Sequence, residues 1–397
     1  MKRWHVLLIP VVLTPVGLTG HSVVSELWSD AAMAAQTADV TPDTLQHQLT
    51  GARAGHTLRL APGVYPRLAL NGRSVADGIT IESANRSNPA RIGQVDISKV
   101  RGLTLRGVMV EGALAPADAT ALISVRQAND VTIEDVGLMG SPDGAAPRMI
   151  NGIFLQGVQN VRLERNQVRR LRFGFAYLAS RGLAIRHNEI CDMATDGMRG
   201  GGTDDLLIEG NVIGGFTPRP GAHPDGIQVW TANQKAPARN ILIRDNLVVR
   251  DGGNVVQGIF VRDNTMSFPF EALQITGNLI VGGMYNGIAV QGGRDVTITD
   301  NHVVAYNDMK SWIRVQGAQQ LTLTGNSAAQ LLLTKNGKVD QQRNRRDKVR
   351  RPGDLSALTP WLAARPQLVR RPGGYLERLA AAAPGERGNA GNCPAVR

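Results

Sequence analysis

The chain has 397 residues, 42% hydrophobic but only 4% aromatic, with 45 glycines, two cysteines and a formal net charge of +11. It is long enough to bury a large core, and two cysteines exclude a disulfide framework, so the composition suits a repetitive β architecture of small aliphatic residues and tight turns. From Lys335 onward lie 14 of the 44 Lys+Arg against 5 of the 33 Asp+Glu. The body is therefore almost neutral, which argues against a chain-wide nucleic-acid binder.

In chain order, Lys2 and Arg3 precede an apolar run from Val6 to Leu18 and a small-residue stretch containing Ala32-Met33-Ala34. This pattern predicts an export signal over residues 1–36 and a periplasmic or secreted protein. The run is shorter than the roughly 20 residues that span a bilayer, so no stable membrane span is expected. Thr41 to Ala54 reads as an amphipathic capping helix, followed by a first strand and turn in HTLRLAPGVYP from His56.

One phrase then repeats: alternating apolar positions, a polar or Gly residue, Asn, and more apolar residues. Its asparagines are Asn166, Asn188, Asn211, Asn246, Asn278, Asn301 and Asn326, separated by 22, 23, 35, 32, 23 and 25 residues. Degenerate copies stand at Val108 and Val136. The shortest spacing is one coil of short strands, and the longer ones carry insertions. Asn at a sharp bend tolerates the left-handed backbone, and stacked Asn side chains hydrogen-bond from coil to coil.

A second strand precedes each Asn phrase, in NGIFLQG from Asn151, DGMRGGG from Asp196, DGIQVWT from Asp225, QGIFVRD from Gln257 and NGIAVQG from Asn286. Stacked in register, Ile153, Ile227, Ile259, Ile288 and Ile313 form one inward column, and Leu155, Val229, Val261, Val290 and Val315 another. Arg199, Gln228, Trp230, Phe260 and Arg262 then point outward. The predicted fold is all-β: a single-stranded right-handed parallel β-helix over 37–334 with an N-terminal capping helix. Past about Leu333 the repeat fails, leaving 335–397 as an irregular, basic, partly disordered tail with one helix from Leu355 to Ala364. Cys191 reads as a small buried apolar residue and Cys393 as part of that tail, with their pairing left open.

The capping helix, the APG-x-Y turn of HTLRLAPGVY and the Asn-bearing rungs together resemble the pectate-lyase-like superfamily of right-handed parallel β-helices, over roughly residues 38–334. The resemblance implies a carbohydrate-active protein and leaves lyase, C5-epimerase, hydrolase and adhesin open. Thr195-Asp196-Gly197 and Asp204-Asp205 echo the hydrolases' acid motifs, but Arg199 stands where a second acid belongs. His223-Pro224-Asp225 has the residue types of the D-P-H motif of epimerases and related lyases in reverse order.

The densest polar cluster runs from Asp196 to Asn264. Proton abstraction beside a uronate carboxyl needs a base titrating near neutrality and cations that stabilise the enolate. His223 is the expected base, with Arg199 and Arg262 gripping carboxylate. Asp196 and Asp225, in one register of consecutive rungs, are expected to share a proton, bind a cation or serve as a hydrolase pair. Each of these residues also has a plain structural reading, as a turn cap or a solvated surface group. Trp230, with Gln228, is a sugar-stacking candidate, and Tyr285 a weaker acid. The sequence names no cofactor, although Ca2+ is compatible with paired carboxylates. The expectation is a monomeric enzyme acting on an acidic polysaccharide by β-elimination or C5-epimerisation. The alternatives are an aspartate-pair glycoside hydrolase and a non-catalytic polysaccharide-binding β-helix.

Overall fold

The computed structural model describes residues 37–141, 150–218, 220–231, 234–251, 254–368, 371–382 and Cys393. The expected export segment lies outside these residues. The described strands join one 32-stranded sheet, and every registered pairing is parallel. In the middle of the coil each strand bonds to the strand three further along: Asp225–Trp230 to Gln257–Arg262, Arg239–Arg244 to Glu271–Thr276, and Leu247–Val249 to Leu279–Val281. Three stacks of strands therefore wind as one coil, the right-handed parallel β-helix that the repeat predicts.

The first stack contains Asp225–Trp230, and its inward columns follow the expected register. Ile227 pairs with Ile259, Ile259 with Ile288 and Ile288 with Ile313, each 0% exposed. The unusual rung Met198–Gly201 also fits. The Tyr177 ring, fully buried, occupies the space that a Cβ at Gly200 would need, so the glycine makes room for an aromatic one rung below.

The asparagines sit at the corner between the second and third stacks, and the structure corrects one expectation there. The left-handed residue is the one before each Asn: Arg165, His187, Gly210, Asp245, Gly277, Asp300 and Gly325 all have positive φ, and the asparagines do not. The Asn side chain has a different task. Asn246 Oδ1 accepts from the Asn211 backbone N–H at 3.0 Å and its Nδ2 at 2.9 Å, while Asn246 Nδ2 donates to Asn278 Oδ1 at 3.0 Å and Ile208 O at 2.9 Å. The pattern runs from Asn166, which accepts from the Val136 N–H, to Asn344. It satisfies every amide of a buried corner, where an unmet polar atom costs about 1–3 kcal/mol.

On the outside of the second stack, charges alternate from rung to rung in one column: Asp39, Arg59, Glu82, Arg106 and Glu134, then Glu164, Arg186, Glu209 and Arg244. The one like-charged step, Glu134 to Glu164, is bridged by Arg165.

The ends differ from the sequence reading. Helix α1 (Leu45–Gly51) buries Leu45 and Leu49 over the first coil, shorter than expected at both ends. At the other end the coil does not stop at 334, because Leu331–Thr334, Lys338–Gln342 and Arg345–Arg346 complete one more rung. Beyond it lie α2 (Leu358–Ala363) and a helix the sequence reading missed, α3 (Tyr375–Ala381). Both pack on the outside of the third stack, with Trp361, Leu362, Tyr375 and Leu379 against Val212, Leu247, Val249 and Leu279. Third-stack strands such as Leu247–Val249 are apolar on both faces, so both faces need cover.

The basic residues of this segment are accordingly not all solvated. Arg365 Nε bonds Asp245 Oδ1 at 2.6 Å, and Arg371 Nη2 bonds Asp135 Oδ1 at 3.0 Å. Cys191 and Cys393 form a disulfide with Cα atoms 6.0 Å apart, joining the segment to the rod.

Candidate functional site

The site lies on the outer face of the first stack. Six consecutive rungs enter that stack through a residue followed by glycine: Asn151, Phe173, Asp196, Asp225, Gln257 and Asn286. The glycine is dictated by packing. A Cβ at Gly226 meets Val248 Cγ2 at 2.7 Å and Gly258 O at 3.0 Å, leaving no room for a side chain at that bend. The residue before it is thereby set at the corner of the groove, where Asp196, Asp225 and Gln257 are 5%, 1% and 8% exposed.

The two aspartates are not equivalent. Asp196 Oδ1 accepts the Asp225 backbone N–H at 3.0 Å, and Asp196 Oδ2 faces Arg199 Nη1 at 3.1 Å. Asp225 Oδ2 accepts from Gln228 Nε2, and Asp225 Oδ1 is buried with no partner. Burial and then the neighbouring Asp196 charge push the Asp225 carboxyl up to about 8, against the pull of Gln228 and Arg199. Burial also raises Asp196, opposed by the Asp225 N–H, Arg199, His223 and Arg172. Burial thus favours a proton on Asp225, while Arg199 favours the charged form of Asp196.

Arg199 is held on three sides. Its guanidinium carbon lies 4.6 Å from the Phe173 ring centroid and 4.7 Å from that of Trp230, with Asp196 as the third contact. Small residues make this possible. Arg199 is level with Ala176 in the preceding rung, and Trp230 is level with Gly201, so neither neighbour fills the space the rings need. Arg172 lies 4.8 Å from the other ring contact, Phe173. The cation is fixed in direction yet remains about a third exposed, at 33%.

The structure brings Asp196, Asp225, Arg199, Gln228 and Trp230 into one cluster. Arg262 is the in-register neighbour of Trp230 and is exposed, without an ion pair to another described residue. His223 is exposed at the approach to Asp225, close enough for its charge to act on Asp196 but without a hydrogen bond to it. Tyr285 stands apart, two rungs on, its ring 5.5 Å from that of Trp312. There Asn286 Nδ2 donates to Gln257 Oε1, and Trp312 Nε1 donates to Asn286 Oδ1 at 3.4 Å.

The sequence reading overlooked Phe173, Arg172, Gln257, Asn286 and Trp312 as site residues. Phe173, Gln257 and Asn286 precede a glycine just as Asp196 and Asp225 do, and that shared position was the available signal. Asp204, in the hydrolase-like pair, is instead bonded to Arg181 at 2.9 Å on the second stack. Among the described residues no three His, Cys, Asp or Glu side chains converge to hold a metal ion, so the calcium expectation finds no ligand cluster there.

Residues 121–303 match the family described as the right-handed β-helix region. Three solved structures are similar. PfbA, a surface adhesin of Streptococcus pneumoniae, is 11% identical over 77% of this chain and 88% of its own, with a TM-score of 0.51. An alginate lyase from Paenibacillus sp. str. FPU-7 is 17% identical over 79% and 99%, with a TM-score of 0.42. A Family 28 exopolygalacturonase of Yersinia enterocolitica is 12% identical over 80% and 79%, with a TM-score of 0.48. No curated protein matches the chain. At these identities the likeness shows the fold alone, a right-handed parallel β-helix.

Proposed function

We propose that the protein is an exported, monomeric enzyme acting on a uronate-containing polysaccharide by β-elimination or C5-epimerisation at the first-stack face. The observation that carries this reading is Arg199, immobilised between Phe173 and Trp230 and by Asp196 beside a carboxyl that keeps its proton. Arg199 offsets charge on Asp196 at 3.1 Å, and burial favours the protonated form of Asp225, so an arriving carboxylate meets fixed donors without a second buried anion. Arg262 adds an unpaired cation two rungs along, about 10 Å away by strand spacing. Trp230 offers an aromatic face to a sugar ring.

In this reading the uronate carboxylate is bound by Arg199 and Arg262, which withdraws charge as the C5 proton leaves. His223, exposed at the same approach, takes that proton, and the electron pair moves into the carboxyl group. Elimination then breaks the C4–O bond, the departing oxygen taking a proton from solvent; epimerisation instead returns a solvent proton to C5 on the opposite face, the C4–O bond staying intact.

A panel of uronans and neutral glycans, with and without chelator, tests the proposal by ultraviolet absorbance of the unsaturated product and by sugar configuration. Arg199→Ala is expected to lower kcat/KM by about 100-fold, and His223→Ala by about 100-fold or more. Full activity in His223→Ala removes it as the base. Binding without turnover across the panel favours a binding-only β-helix.

A second reading is supported by the proton on Asp225 beside Asp196: glycoside hydrolysis, with Asp225 as acid once Gln228 swings away. Its products are new reducing ends without the unsaturated chromophore, and Asp225→Asn abolishes them.

A further inference from the structure

The last coil differs electrically from the alternating column of the second stack. Among the described residues its strands Leu331–Thr334, Lys338–Gln342 and Arg345–Arg346 are each paired on one side only, which leaves a backbone edge at the end of the rod without a further described strand. The opposite end is covered by α1. Lys335, Lys338, Arg343 and Arg345 stand exposed on this terminal rung, and none makes an ion pair with another described residue. On the second stack, by contrast, Arg106 meets Glu82 at 2.5 Å and Arg244 meets Glu209 at 2.6 Å. Those two cations have an acid level with them in the adjacent rung, whereas Lys338 is level with Gln320 and Arg345 with Ser327.

Beside this edge is a cleft of about 390 Å³ lined by Lys310, Arg346 and Lys348, together with Gln330 and Ser311. Ser311 is 2% exposed, and its hydroxyl has no partner. The three cations make no ion pair, although Asp354 feels Lys348 at longer range. The acid in the cleft, Asp347, is already engaged: His302 Nε2 lies 2.6 Å and Arg350 Nη2 3.4 Å from its Oδ2. The other nearby acid, Asp340, accepts from Gln342 Nε2 at 3.2 Å. Cleft and edge together leave a concentration of unpaired positive charge next to open backbone donors.

We propose that this end of the rod is a second docking surface for an acidic polysaccharide, the cleft taking one carboxylate or sulfate group and the terminal-rung cations tracking the chain that leads to it. Hydroxyls and carboxylates of such a polymer match the unpaired N–H groups of the edge as well as the cations. From 331 to 351 the chain has no aromatic residue, so no platform for stacking nucleobases exists along the edge. The exposed large apolar side chains there are Val339 and Val349, too small to anchor in a bilayer surface. The surface is separate from the first-stack site, and its role is to hold polymer rather than to cut or isomerise it. The choice of an acidic polysaccharide over another polyanion rests on the proposed function above.

The test is binding of the full chain to polygalacturonate, a neutral dextran and duplex DNA at low and moderate salt. Two triple variants separate edge from cleft: Lys338→Gln/Arg343→Gln/Arg345→Gln and Lys310→Gln/Arg346→Gln/Lys348→Gln. Each is expected to bind polygalacturonate about tenfold more weakly with a shallower salt dependence, while Arg199→Ala retains this binding. Turnover of short oligouronides is expected to be unchanged in both triples, with KM raised only on long polymer. Parent-like binding in both triples overturns the proposal, as does tighter binding to DNA than to polygalacturonate. So does an edge variant that self-associates in sedimentation with its binding intact, which makes the cations a guard against edge pairing only. Polymer binding without turnover in the parent removes the enzymatic reading and leaves this one standing.

Discussion

Two buried polar ladders run along this rod, and they are finished differently. At the corner between the second and third stacks, Asn166 to Asn344 each give and accept hydrogen bonds to the adjacent rung, and their amides are satisfied. At the entry to the first stack, Asp196, Asp225, Gln257 and Asn286 occupy an equally regular column, but Asp225 Oδ1 is buried without a partner and its carboxyl is pushed up to about 8. A ladder of one residue type that closes on itself is scaffold. A ladder that mixes acid and amide, and leaves an atom unmet, retains free energy that a ligand or proton can use.

The largest effect is expected from breaking the finished ladder. Asn246→Leu removes partners from Asn211, Asn278 and Ile208 at once and is expected to cost about 3–5 kcal/mol, read as a fall in the denaturation midpoint. A loss below about 1 kcal/mol would show that the corner does not depend on the amides.

Next is the covering of the third stack. Cys191→Ser with Cys393→Ser is expected to lower stability by about 2–4 kcal/mol and to expose the α2 and α3 segment to proteolysis before the coil unfolds. Cleavage in α3 with the rod intact is the diagnostic product.

Gly200→Ala sets a methyl group against the Tyr177 ring and is expected to cost about 1–3 kcal/mol. Because Arg199 is next in sequence, the same change is expected to alter carboxylate binding, which measurement at fixed temperature separates from stability.

At about pH 4 and below the smallest effect on stability comes from Asp225→Asn, and its pH dependence is what sharpens the comparison. The folded carboxyl titrates near 8 and the unfolded one near 3.8, so its stabilising contribution is full below about 4 and is lost as pH rises towards 8. The variant has no such titration. It is expected to match the parent in acid and exceed it progressively between those pH values, in denaturation measured across that range. Parallel stability curves for the two proteins would contradict a shifted Asp225.

Much of the rod was legible beforehand. Side-chain period and rung spacing fix which residues face inward, so the Ile153 to Ile313 and Leu155 to Val315 columns were readable from alternation alone. Asp196, Asp225, Arg199, Gln228 and Trp230 were likewise placed together by register. The left-handed conformation was assigned one residue too late, because a stacked Asn and a left-handed Asn both explain the same letter at the same bend. The terminal coil and α3 were missed because Lys338–Gln342 has little apolar content of its own, and its pairing is supplied by the rung before it.

The sequence by itself determined the coil, because a parallel stack converts linear period directly into columns. Only the tertiary structure decided what distinguishes one outward residue from another. Arg199 is clamped by Phe173 from one rung and Trp230 from another, Asp225 is buried while His223 nearby is exposed, and Cys191 meets Cys393 across a sequence separation of 202. Those outcomes depend on the small neighbours Ala176 and Gly201, on the covering of the third stack, and on where charge runs out of partners at the last rung. Periodicity cannot encode them, since they arise from contacts between rungs and between segments far apart in the chain.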